Sequence, residues 1–251
     1  MVIIDNCMPP KMSASIVSDH WTTLFQFLRK FYIELKTTYL CMVLSIIENI
    51  TSSFEFAKDG LVGYWTRWII LLVVSCIPIL NFISSGYLVK IYRGGDTAPE
   101  LEGYAEMLID GIKLAIIGFL YVLIPIMLMA VGVFFLEAGV ETGELGTGIM
   151  VVLVGFVLAL IFGLLALIGC IRFAKEGALG EGFNFGAILE TIGEIGWGHY
   201  ILSYILFIIV VGIVVGILSL IPFIGWLLLL IIMPFILLWQ GKFLENLYSC
   251  A

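Results

Sequence analysis

Charge is scarce in this chain. Only 12% of the 251 residues are Asp, Glu, Lys or Arg, and only two are histidine, while 62% are apolar. A soluble globular domain carries roughly a quarter charged residues and about half apolar ones. The apolar excess is too large for a core, and it belongs to a chain whose outer surface faces hydrocarbon. There is no basic patch, which excludes nucleic acid as a partner. The five cysteines show no CxxC spacing, so neither a disulfide framework nor a zinc site is implied. Cys76 and Cys170 fall inside apolar runs and read as small packing residues.

The usual signatures of chemistry are also missing. The sequence has no GxSxG nucleophile elbow, no HExxH motif and no pair of aspartates inside an apolar run. His199 stands at the mouth of a run between Trp197 and Tyr200, the place of an interfacial aromatic belt, and lacks a visible orienting partner for work as a base. No catalytic residue, cofactor or metal ligand is expected.

Long apolar runs are what the chain does have. Residues 112–136 hold one charge, Lys113, at the edge, and residues 148–171 hold none. Each exceeds the ~20 residues needed to cross a ~30 Å hydrocarbon core. A further hairpin is expected in residues 171–245. There one span from His199 to Leu220 turns at "IPFIGW" and returns through a helix bent at Pro234. A proline bend is tolerated in a membrane helix where neighbours satisfy the freed carbonyl.

Residues 54–93 repeat this pattern in miniature. "FAKDG" at Phe56 is matched by "FAKEG" at Phe173, and "IPILNF" at Ile77 by "IPFIGW" at Ile221. The acidic 137–147 loop is placed outside, because Lys and Arg gather on the cytoplasmic side. A hairpin at 54–93 then brings all twelve basic residues inside. Its arms of about 15 residues suit a re-entrant or thinned segment. A single pass is the alternative.

The expected fold is therefore all-α: a polytopic transmembrane bundle of about six segments, or five if the first unit is a single pass. Residues 1–45 form an N-terminal extension that contributes no span, read either as a surface amphipathic helix or as a poorly ordered extension. Residues 46–251 form the transmembrane domain, with hairpin units 54–93 and 171–245 around the central spans 112–136 and 148–171. The expected setting is the cell membrane, with both termini cytoplasmic.

Two interfacial helices complete the pattern. "TAPELEGYAEMLIDGIK" opens with a capping box, Thr97 with Glu100, and carries Glu102, Glu106 and Asp110 as an acidic stripe with a solvated face. "NFGAILETIGEIGW" has Asn184 as its cap, Glu190 and Glu194 facing out, and Ile188, Ile192 and Ile195 facing in, with Phe183 stapling to Ile188. "RGGD" from Arg93 reads as a helix stop. "NIT" at Asn49 matches a glycosylation acceptor but falls on the inside face.

Six residues are singled out on structural grounds. Pro78 and Asn81 in the first turn, and Pro222 and Gly225 in the second, read as turn residues or as the lining of a shallow cavity. Gly212 and Gly216 form a GxxxG pair for close helix packing.

The segments "FEFAKDGLVGYWTRWIILLV", "GYLVKIYRGG", "PELEGYAEMLIDGIKLAIIGFLY" and "SLIPFIGWLLLLIIMPFILL" resemble a prokaryotic, mainly archaeal, polytopic membrane family known only as domain of unknown function 4013. The likeness runs from about Ile46 to the C-terminus. Its most specific marks are Gly86-Tyr87-Leu88 with Arg93, and Asp110-Gly111-Ile112-Lys113. The segment before Met42 departs from it, and family members resemble a chain beginning near "MVLSIIENITSS". The resemblance implies a polytopic membrane fold and no catalytic or ligand residue.

The function expected from these readings is a non-catalytic membrane module, a scaffold or a component handling a lipid or small solute. Its partners are the lipid bilayer and a membrane-protein partner, with the oligomeric state left open. The alternative is a transporter with its own solute pathway. For that reading internal repeats are a recognised signature, but the two copies here share one orientation.

Overall fold

The computed structural model describes the backbone of residues 18–142, 145–222 and 224–250, and the side chains of 29–30, 40–139, 145–222 and 224–250. The chain divides into two units, 1–45 and 46–251. All the regular structure described is helical: α1 Ser18–Leu61, α2 Trp65–Cys76, α3 Asn81–Tyr92, α4 Tyr104–Thr142, α5 Leu145–Glu176, a 3₁₀ turn Leu179–Phe183, α6 Phe185–Ile195, α7 Trp197–Ser219 and α8 Ile224–Tyr248.

Five helices among the described residues are long and apolar enough to cross a membrane: Leu40–Leu61 within α1, Tyr104–Gly139, Leu145–Glu176, Trp197–Ser219 and Ile224–Tyr248. The protein is a multi-pass helical membrane protein. The set differs from the expected one at its start. The sequence predicts no span before residue 54. Instead α1 continues to Leu61, and the stretch from Leu40 is apolar enough to count as a span. Residues 1–17, and the side chains of 24–28 and 31–35 that would form the face of a surface helix, lie outside the described residues.

The first hairpin is short. Helices α2 and α3 have 12 residues each, about 18 Å at 1.5 Å per residue, against a hydrocarbon core of ~30 Å. The Ser75 and Ser84 hydroxyls meet at 3.0 Å across its arms, so the polar groups of this pair satisfy each other. The turn therefore does not reach the far face. A single cysteine at Asn81 is expected to resist a membrane-impermeant thiol reagent added from either side, while one at Glu137 labels from one side only. Labelling at Asn81 from the same side as Glu137 would restore a hairpin that spans.

The two near-identical pentapeptides do different jobs. Phe56, Ala57, Phe173 and Ala174 are all buried. However, Gly177 has φ +74° and ends α5, whereas Gly60 stays helical and the positive φ falls later, at Gly63. A Cβ on Gly60 would come 2.6 Å from the Ala98 Cβ, so this glycine is a contact point. After the second motif the 3₁₀ turn and α6 intervene, and α7 and α8 have 23 and 25 residues, about twice the arms of the first hairpin.

The core sits at one end. Met107, Leu114, Ile117 and Tyr121 of α4, Leu165 to Ala174 of α5, Tyr200 to Phe207 of α7 and Phe235 to Leu247 of α8 supply buried side chains, with α2, α3, α6 and the last turns of α1. Beyond this base the helices carry exposed apolar side chains: Phe134 in α4, Met150 and Phe156 in α5, Ile213 and Ile217 in α7, Trp226 in α8. Such a surface is stable only against lipid or another membrane protein.

Ion pairs gather at the same end. Arg93 at the end of α3 pairs with Asp110 and, at 3.7 Å, with Glu106, and its Nε donates to the Ala174 carbonyl. Lys113 also reaches Asp110, at 3.4 Å. Lys242 and Lys175 flank Glu245 at 2.8 and 3.4 Å. Arg172 bonds Glu181 at 2.7 Å. Arg172 and the Asn184 amide hold the Glu181 carboxyl below its usual range. A carboxyl lowered by folding stabilises above its ordinary titration range, and the benefit is lost as pH falls through the lowered value. Asp110 is buried, so the acidic stripe expected to face solvent turns inward at its third member.

The capping box at Thr97 does not form, because α4 begins at Tyr104. The preceding carbonyls are taken by α3 side chains: Tyr87 Oη donates to Pro99 O at 2.8 Å and Lys90 Nζ to Glu102 O at 2.7 Å. Gly103, at φ +69°, sets the start of the helix. The second interfacial helix forms as α6. Asn184 Oδ1 accepts from the Ala187 N–H at 3.3 Å, Ile188, Ile192 and Ile195 are buried, and Glu190 and Glu194 are exposed. Phe183 stacks on Tyr121. "RGGD" does end α3, with positive φ at Gly94 and Gly95.

Candidate functional site

Beside the base, α4, α5, the 3₁₀ turn and the start of α6 enclose a cleft open at the surface. Its volume is about 290 Å³, and Leu120, Leu123 and Ile124 of α4, Phe162 of α5, Phe183 and Phe185 line it around Tyr121. Tyr121 is held from three sides. Its ring stacks on Phe183 at 5.6 Å and meets Phe162 and Phe185 edge-on at 6.3 and 5.9 Å. Its hydroxyl donates to Gly182 O at 2.8 Å. Gly182 itself presses on Ile117, since a Cβ there would come 2.7 Å from Ile117 Cδ1. The one polar group of the cleft is thus spent on the protein, and what remains is an apolar aromatic wall.

The residues singled out in the sequence are scattered. The Pro78 and Pro222 turns lie at the tips of different hairpins and are exposed. Asn81 and Gly225, which look equivalent in sequence, are not. Asn81 is exposed, its N–H donating to Ile77 O at 2.8 Å. Gly225 is buried with its Cα hydrogen against the Leu218 carbonyl, where a Cβ would collide. None of the four lines the cleft. Gly225→Val is expected to destabilise by about 1–3 kcal/mol and Asn81→Gly by little, read as thermal unfolding in one detergent. Equal effects would show that the two turns are alike after all.

A Cβ on Gly212 or Gly216 would meet nothing within 4 Å, so this GxxxG pair packs against no helix among the described residues. The glycines that do pack helices are elsewhere. A Cβ on Gly86 would strike the Met107 backbone, and one on Gly111 the Phe82 carbonyl, so α3 and α4 interlock. Between α4 and α5, Cβ atoms on Gly132, Gly148 and Gly155 would come 2.7, 2.6 and 2.6 Å from Val152, Leu136 and Met129. The seven-residue step from Gly148 to Gly155, two turns along one helix face, was the available signal.

Other polar residues also resolve as structure. Asn49 Nδ2 donates to Phe243 O at 3.2 Å, and Asn246 Nδ2 to Asn49 Oδ1 at 3.0 Å, which makes the "NIT" asparagine a helix tie. Trp68 Nε1 donates to Ile231 O at 2.8 Å, next to the carbonyl that loses its donor at Pro234. His199 has no hydrogen-bond partner among the described residues. No group of three His, Cys, Asp or Glu close enough to hold a metal ion occurs among them.

Five lengths of apolar helix rooted in one charged base define a multi-pass helical membrane protein. Residues 69–223 match a family described as "Protein of unknown function (DUF4013)", and the chain belongs to that family. It is also similar to three chloroplast proteins named NAD(P)H-quinone oxidoreductase subunit 3. Identity is 31% with that of Nuphar advena, 29% with Amborella trichopoda and 27% with Pelargonium hortorum. Each comparison runs over 113 residues, 45% of this chain and 89% of the relative. No solved structure matches.

Proposed function

We propose that the protein is a non-catalytic membrane module whose cleft at Tyr121 accommodates a lipid acyl chain or a small apolar solute. The cleft carries this reading. It is open at the surface among the exposed apolar side chains Leu120, Leu123 and Ile124, its lining is aliphatic and aromatic, and its single hydroxyl is already bonded. The ionic residues support it too, because at the base they pair with one another. The basic end is read as cytoplasmic on the distribution of Lys and Arg, which places the end of α8 on that side of the cell membrane.

The test uses a phospholipid with a photoreactive group in its acyl chain, in proteoliposomes. Crosslinks are expected to concentrate on peptides carrying 120–124 and 183–185, well above those at the equally exposed 213–217. Ile124→Trp, which fills the cleft, should abolish the excess. Even labelling across all lipid-facing helices would overturn the reading.

The likeness to a named subunit favours a second reading, in which the exposed far halves of α4, α5, α7 and α8 dock on a membrane-protein partner. Its test is particle mass after extraction in a mild detergent. A mass of one chain plus detergent, from the native membrane, counts against it.

A further inference from the structure

A second pocket, away from the Tyr121 cleft, lies where α1 turns into α2. It has a volume of about 470 Å³, within the range of sites that hold a small molecule or headgroup. Its walls come from three places in the chain: the α1–α2 corner, the first turns of α2, and the approach to α4. Tyr64, Trp65 and Tyr104 rim it, all exposed. Ile70 and Leu101 are its apolar, half-buried members, and Arg67 is its one charged member.

Arg67 is unusual among the cations of this end. Arg93, Lys113, Arg172, Lys175 and Lys242 each have a carboxylate partner. Arg67 has none among the described residues. It donates once, from Nη1 to Gly60 O at 2.8 Å, and lies 5.0 Å from the centre of the Tyr64 ring. A guanidinium has five N–H donors in a planar fork that suits phosphate. Here the charge is held in place by a carbonyl and a ring, half-buried, and left uncompensated. Lys58 and Lys90 also lack carboxylate partners, but Lys58 is exposed away from the pocket and Lys90 is tied to Glu102 O.

We propose that this pocket binds a phosphate-bearing amphiphile, with the phosphate on the Arg67 fork, the ester region against Ile70 and Leu101, and the ring edges of Tyr64, Trp65 and Tyr104 at the headgroup level. Three features agree on that ligand. The unpaired guanidinium calls for an anion. The apolar members call for more than a free ion. Tyr and Trp rims are characteristic of the membrane–water boundary. The site is independent of the cleft and stands whether or not the cleft holds a lipid.

The test is native mass spectrometry of the full chain in a neutral detergent, titrated with dimyristoylphosphatidylglycerol, the matching diacylglycerol, or inorganic phosphate. One saturable phosphatidylglycerol adduct is expected, with weaker uptake of diacylglycerol and no displacement by inorganic phosphate. Arg67→Gln should weaken the adduct about 10-fold, the effect of losing one charge-assisted contact. Lys58→Gln should leave it unchanged, and so should Ile124→Trp, which separates this site from the cleft. If Arg67→Gln does not fold, Tyr104→Ala keeps the Arg67 bond to Gly60 and should still weaken the adduct several-fold. Equal losses in Lys58→Gln and Arg67→Gln would reduce the effect to general charge and overturn the site. Diacylglycerol binding as well as the phospholipid, or displacement by millimolar phosphate, would overturn the ligand.

Discussion

Gly86→Val and Gly111→Val should each leave little folded protein in detergent. At both positions the obstacle is backbone: the Met107 carbonyl for Gly86, and the Phe82 carbonyl with the Gly86 nitrogen for Gly111. A flexible side chain can rotate away from an added methyl, but a helix carbonyl cannot without moving the helix. Overpacking a well-packed site costs about 1–3 kcal/mol where the neighbours can yield, and here they cannot, so a loss at or above ~3 kcal/mol is expected. The same arithmetic gives Gly216→Ala almost nothing, since that position faces open space. Thermal unfolding of the three variants in one detergent checks the ranking. Normal stability of Gly111→Val would mean that α3 and α4 are further apart than described.

Asp110→Ala should be the next most damaging change. Its carboxylate is buried and takes both Arg93 and Lys113, while Arg93 also reaches the Ala174 carbonyl and so ties α3, α4 and α5 together. Removing one partner of a buried pair costs about 3–5 kcal/mol. Arg93 and Lys113 side chains are each 38% exposed, so water takes up part of the stranded charge and about 2 kcal/mol is expected. Asp110→Asn keeps the shape and should fall between that value and zero. Glu106→Gln, on a 66% exposed side chain 3.7 Å from Arg93, should cost under about 0.5 kcal/mol. Chemical denaturation in mixed micelles checks the order. If Glu106→Gln matches Asp110→Ala, the Arg93 site is a solvated cluster without a buried member.

The membrane class, the two central spans, the Pro234 helix and the polarity of α6 were all legible, because each rests on local hydropathy or on a 3.6-residue period. What escaped was set by contacts distant in sequence. The Thr97 cap looked sound locally, yet Tyr87 and Lys90 claim the carbonyls of that segment from another helix. Gly212 and Gly216 have the familiar spacing but no neighbour among the described residues, while Gly86 and Gly111 have no spacing at all, since they lie on different helices and face each other. The span from Leu40 is hard to read in the sequence, because the stretch is only moderately hydrophobic and holds Glu48 and Glu55. The Tyr121 cleft joins residues about 60 positions apart, and no pattern within one segment announces it. The two family marks, around Gly86 with Arg93 and around Asp110 with Gly111, were read separately. They turn out to be the two halves of one joint.

Because the buried core lies at one end, the fold separates what keeps it together from what adapts to its surroundings. A bilayer that thickens or thins acts on the exposed halves of α7 and α8 and on α4 and α5 as the one pair that Gly132, Gly148 and Gly155 hold together, which answer by tilting at a cost of fractions of a kcal/mol per Å. The interlocked glycines and paired charges of the base lie outside that adjustment. A change of bilayer depth is therefore met by the helices that face lipid, and the joint of α3 and α4 at Gly86 and Gly111 is not asked to move.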